Sequence, residues 1–73
     1  MSLYHDVTTV GATYLGPAAE PFIGRQCTLY LKIQPQALAK EHLPELAKWI
    51  EVAGTRFLDA MKAKELATKI AAL

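Results

Sequence analysis

The sequence lacks the multiple cysteines and the long apolar run that are the features of disulfide-stabilised and membrane-spanning proteins. Cys27 is the only cysteine among 73 residues, which excludes an internal disulfide and is typical of a reducing compartment. No apolar run approaches the roughly 20 residues that cross a bilayer, and the N-terminus lacks the basic start and apolar stretch of a signal peptide. We therefore expect a cytoplasmic protein without a membrane partner.

A concentration of charge of one sign is also missing. Eight Lys and Arg residues against seven Asp and Glu residues give a net charge of +1, and neither sign forms a dense block. Binding to a phosphate backbone needs a basic patch or stripe. The sequence therefore gives no clear indication of a nucleic-acid partner.

Residues that could support catalysis are few and poorly spaced. Histidine meets a carboxylate only in the pairs His5-Asp6 and Glu41-His42. Adjacent residues of a helix point about 100° apart and do not share a ligand, so we expect solvent-facing or helix-capping roles for both pairs. Cys27 is the one candidate nucleophile, and a lone cysteine of this kind is typically a small buried hydrophobe. We predict a non-enzymatic protein with no cofactor, no metal and no identifiable small-molecule substrate.

Apolar residues, in contrast, are abundant, at 52% of the chain, and they are spread along its whole length. A domain of this size buries only about 60% of the surface that its unfolded chain exposes. We therefore expect one domain over residues 1–73, with some apolar surface left for a protein partner or a second copy of the chain.

The C-terminal half carries two helical patterns. From Lys40 to Ala53 the apolar residues recur at three- and four-residue steps, with Pro44 near the first turn and Gly54 as a plausible C-cap. A second helix is predicted from Asp59, a good N-cap residue, to Leu73.

The middle of the chain is ambiguous. Residues 27–33 alternate between apolar and polar, which favours a strand, whereas the longer window predicts a helix from Pro17 to Ile33. We favour the helix. If the strand is correct, Tyr4 to Tyr14 would be its hairpin partner. That N-terminal stretch, residues 1–14, can otherwise be loosely ordered or form a short helix.

These patterns predict an all-α fold, a small compact domain of three to four helices. The alternative is an α+β fold with an N-terminal β-hairpin followed by two helices.

Two places indicate an interaction surface. Phe22 and Ile23 could dock on a partner while Arg25 and Gln26 form hydrogen bonds across the interface, although the same residues could be ordinary core. Trp49 lies at the border of the apolar stripe of its helix, where a large ring can be half available, and Ile50 follows it.

We expect a non-enzymatic interaction or regulatory module that self-associates, as a homo-oligomer, through Phe22, Ile23, Trp49 and Ile50. One alternative is a nucleic-acid-binding protein with a helix-turn-helix joined near Gly54. Its basic residues would be Arg56, Lys62, Lys64 and Lys69. Another alternative is a metal or thiol site in which His5, His42 and Cys27 of different chains converge.

Overall fold

The computed structural model describes residues 2–73, and within that range it is helical without any strand, which confirms the all-α prediction. Four α-helices follow one another: α1 (Leu3–Leu15), α2 (Ala19–Gln26), α3 (Leu43–Gly54) and α4 (Ala60–Ala71). Short helical turns connect them, at Gly16–Ala18, Cys27–Leu31, Pro35–Ala37 and Lys40–His42. The alternative with an N-terminal hairpin is wrong.

The N-terminal segment is a helix that packs into the core. The Ser2 hydroxyl accepts the backbone N–H of His5 at 3.1 Å and so caps α1. Val7 is completely buried, and the Tyr14 hydroxyl donates a hydrogen bond of 2.6 Å to Glu65 Oε1 on α4. Residues 3–15 are thus held at both ends, in agreement with the short-helix interpretation and against a loosely ordered segment.

Two glycines shape the corner between α1 and α2. Gly16 ends α1 with φ +61° and ψ −141°, a positive-φ conformation that residues with a Cβ rarely adopt. Gly11 is buried, and a Cβ placed there would lie 2.6 Å from Ile23 Cδ1. The missing side chain therefore lets α1 approach α2 closely.

The middle segment is helical as predicted, but it is not one continuous helix. A 3₁₀ turn containing Pro17 leads into α2, and residues Cys27–Leu31 widen into a π-helical turn. Lys32 then adopts φ +57°, and the Ile33 N–H donates to the Cys27 carbonyl, which closes the segment. Cys27 is buried while Leu29 is 58% exposed, so these two residues do not share a face as a strand would require.

The last two helices form a hairpin, and most of their ends lie close to the predicted positions. Pro44 lies in the first turn of α3, and the Asp59 carboxylate caps α4 by accepting the Lys62 N–H at 2.8 Å. The C-cap predicted at Gly54 lies one residue further along, at Thr55. Gly54 is the last residue of α3 and is buried, and a Cβ there would lie 3.5 Å from the Ala63 Cβ of α4, so its small size serves the packing of α3 on α4.

One apolar cluster joins the four helices. Leu38, from the link before α3, is 7% exposed and inserts into this core. The other fully or nearly buried members come from all four helices and from the π turn: Val7, Ala19, Ile23, Cys27, Leu43, Leu46, Ile50, Leu66 and Ile70. No helix within residues 2–73 combines the length and the apolar character that a bilayer span requires.

Candidate functional site

Three residues of the predicted interaction surface are buried or nearly so. Ile23 and Ile50 are completely buried, and Gln26 is 3% exposed. Ile23 and Ile50 lie on the inward faces of α2 and α3, where they pack in the apolar cluster. The prediction is therefore wrong for Ile23 and Ile50, whose side chains lie in the core, whereas Gln26 is nearly buried but still contributes to the lining of the groove described next.

The other three predicted residues, Phe22, Arg25 and Trp49, lie together at a groove of about 350 Å³. Its apolar lining consists of Phe22, Leu29, Tyr30, Trp49, Val52 and Phe57, with Ala53 among them, and its polar lining consists of Arg25, Gln26 and Arg56. We call this surface the aromatic groove.

Four structural segments build the aromatic groove. Helix α2 contributes Phe22 and the π turn contributes Leu29 and Tyr30, while α3 contributes Trp49 and Val52. The turn after α3 contributes Arg56 and Phe57. The groove is thus made mostly of helical segments, and the turn after α3 is held by hydrogen bonds from the Arg56 and Phe57 N–H groups to the Ala53 and Gly54 carbonyls.

Aromatic contacts hold the groove's rings in place. Phe22 and Phe57 pack edge to face, with ring centroids 5.4 Å apart and an interplanar angle of 78°. Tyr30 and Trp49 are stacked, with centroids 4.2 Å apart and an angle of 13°. Pairs of this kind add about 0.5 to 1.5 kcal/mol beyond the burial of their surface. The rings are therefore ordered before anything binds.

The exposed apolar side chains of the molecule concentrate at this groove. Leu29 and Val52 are each 58% exposed, Phe57 is 60% exposed and Tyr30 is 44% exposed. Of the large exposed apolar residues in the described range, Met61 alone does not line the groove. Such a grouping is typical of a binding surface, since apolar residues scattered singly over a surface need no explanation but a contiguous group does.

Sequence reasoning missed Leu29, Val52 and Phe57 as surface residues. Leu29 was counted in the alternating pattern of the middle segment, and Val52 falls outside the apolar stripe of α3. Phe57 carries the one available signal, because it is a large aromatic residue in the polar turn that follows Gly54.

The charge at the groove is positive. Arg25 and Arg56 both line it, whereas no Asp or Glu does. Within residues 2–73, Lys69 and Glu65 form the one ion pair with a nitrogen–oxygen distance of 4.0 Å or less. Neither arginine therefore has a carboxylate partner among these residues. The Lys48 ammonium lies 5.6 Å from the centre of the Trp49 ring and adds to the positive potential.

Gln26 adds a buried polar group to the groove lining. Its Nε2 donates a long hydrogen bond of 3.4 Å to the Phe22 carbonyl, while its Oε1 has no hydrogen-bond partner among the described residues. A buried acceptor without a donor destabilises the isolated fold by about 1 to 3 kcal/mol.

The histidines and the cysteine do not converge. His42 Nδ1 accepts the Ala39 N–H at 2.9 Å, which confirms a capping role, and His5 is exposed on α1. Cys27 is completely buried, and burial raises the pKa of its thiol. No group of three metal-ligating side chains occurs within residues 2–73. A shared site that includes Cys27 would therefore require the core to open.

The basic residues considered for nucleic-acid binding lie on two different parts of the surface. Lys62 and Lys64 are exposed on α4, while Lys69 lies 3.8 Å from Glu65 and 5.2 Å from the centre of the Tyr14 ring. Arg56 lines the aromatic groove instead of extending the basic face of α4.

Comparison of the chain with models of known families, with curated proteins and with solved structures gave no match.

Proposed function

We propose that this protein is a non-enzymatic interaction module whose binding surface is the aromatic groove. The observation that carries the proposal is the concentration of exposed Leu29, Tyr30, Val52 and Phe57 side chains at one groove whose rings are already ordered. Interface centres are enriched in aromatic residues and arginine, which is the composition found here. The single buried thiol of Cys27 supports a reducing, cytoplasmic location as part of the same proposal.

Affinity capture from cells that naturally make the protein, with matched variants, tests this function. The bait is the wild-type chain, the groove variant Val52→Ser/Phe57→Ser, or the control Met61→Ser, which removes an exposed apolar side chain outside the groove. We expect a protein that is retained by wild type and by the control and lost with the groove variant. If all three baits retain the same proteins in equal amounts, the groove is not the binding surface.

Self-association through the groove is one form that this function can take, and it stays a prediction. Analytical ultracentrifugation over a concentration series measures it directly. We expect a mass that rises with concentration in wild type and not in Val52→Ser/Phe57→Ser if a second copy occupies the groove.

A further inference from the structure

The aromatic groove combines apolar side chains that face water with guanidinium groups that lack carboxylate partners. We propose that its occupant is an acidic amphipathic helix of a partner protein, with large apolar side chains on one face and Asp or Glu beside them. This inference rests on the proposed function and specifies the chemistry of the partner.

The extent of the exposed surface favours a polypeptide segment over a small ligand. Small-molecule sites enclose most of the ligand's surface, whereas Leu29, Val52 and Phe57 line the groove and each expose more than half of their own surface. Covering them needs several apolar side chains spaced along one element. A helix that lies over the groove, across the paired rings, would supply them at positions i, i+3, i+4 and i+7.

The charges favour an acidic partner over a second copy. Arg25 and Arg56 line the groove without any carboxylate, and guanidinium groups form paired hydrogen bonds with carboxylates. A twofold dimer through the groove would place the same patch on both sides, so the arginines of each copy would meet a patch that is also positive and is lined by no carboxylate. An acidic helix brings the charge that this surface lacks.

Three synthetic helical peptides of about 16 residues, roughly 24 Å long, test the proposal. They share Leu and Phe at the four contact positions and differ only in their flanking residues, which are Glu, Gln or Lys. Fluorescence anisotropy of the labelled peptides measures binding to the full chain. We expect the Glu peptide to bind about tenfold more tightly than the Gln peptide, and the Lys peptide to bind most weakly.

A charge-matched pair of variants locates the contact. Arg25→Gln/Arg56→Gln removes two positive charges from the groove, and Lys62→Gln/Lys64→Gln removes two from the exposed face of α4. We expect the first variant to bind the Glu peptide about tenfold more weakly and the second to stay within about twofold of wild type, with both retaining the wild-type circular dichroism.

Equal affinity for the Glu and Gln peptides, or equal losses in the two variants, would overturn the acidic helix. Concentration-dependent dimerisation that is lost in Val52→Ser/Phe57→Ser would also overturn it, by showing a second copy in the groove, while leaving the proposed function intact. If none of the three peptides binds, but a protein is still captured from cells through the groove, the acidic-helix proposal is also wrong while the proposed function stands. The proposed function fails separately, when capture from cells does not depend on the groove.

Discussion

At the scale of single residues, Gln26 is a position where removal of a buried polar group should stabilise the fold. We predict that Gln26→Met raises the free energy of unfolding by about 1 kcal/mol, because it removes a buried acceptor that has no donor. Urea denaturation measures the stability, with Gln36→Met as an exposed control that stays within about 0.5 kcal/mol of wild type. A loss of stability in Gln26→Met would show that Oε1 has an internal role.

The raised pKa values of Cys27 and Tyr4 predict how stability depends on pH. Burial is the main cause for both groups, and for Tyr4 the charges of Glu20 and Cys27 add to it. A group with a raised pKa in the folded state holds its proton longer there than in the unfolded chain. Its stabilisation is therefore complete below the ordinary values of 9.0 and 10.0, and it is lost as the pH rises through the folded pKa values.

Urea midpoints between pH 7 and pH 10.5 test this dependence. We expect the midpoint to fall at the alkaline end, and to fall less in Cys27→Ala, which lacks the thiol. A midpoint that rises with pH in this range would contradict the burial of these groups.

At the scale of elements, the contact between α1 and α2 depends on Gly11. A Cβ there would lie 2.6 Å from Ile23 Cδ1, and Ile23 is completely buried, so its side chain has little room to move. We predict that Gly11→Ala lowers the free energy of unfolding by about 1 kcal/mol, although alanine is the better helix former.

A double-mutant cycle isolates this contact. Ile23→Val removes the Cδ1 atom, so Gly11→Ala should become neutral or stabilising in that background. Equal effects of Gly11→Ala in the two backgrounds, measured by urea denaturation, would show that the close approach does not limit packing.

The sequence predicted the helices better than the turns between them. Apolar spacing identified α3 and α4, and the Asp59 cap and the Pro44 position were confirmed because capping and proline geometry are local properties. The π turn at Cys27–Leu31 and the left-handed Lys32 were not predicted, since a spacing of three and four residues does not distinguish a π turn from an α-helix.

At the scale of the whole molecule, the core and the aromatic groove should respond differently to substitution. We predict that Ile50→Ala, in the core, lowers the free energy of unfolding by about 2 to 5 kcal/mol. Val52→Ser, two residues further along α3, should change it by less than about 0.5 kcal/mol because Val52 is mostly exposed and the two residue types have similar helix propensities. Thermal or urea unfolding checks the contrast, and a large loss in Val52→Ser would show that the groove is part of the core.

The candidate site could be predicted only in part, because it is assembled by the fold from four segments. Phe22, Arg25 and Trp49 were found from local pattern. Ile23 and Ile50 were assigned to the surface on the argument that a short chain cannot bury all its apolar residues, but that argument does not say which of them remain outside. The side chains left outside instead belong to the π turn, the far side of α3 and the turn after it.

The central claim is that the aromatic groove is the binding surface of this protein. A ¹⁵N NMR titration of the full chain with a partner captured from cells tests it most directly. We expect shifts concentrated at Leu29, Tyr30, Val52, Arg56 and Phe57, with the amides of Lys62 and Lys64 on α4 unchanged. Shifts centred on α4, with the groove residues unmoved, would contradict the account.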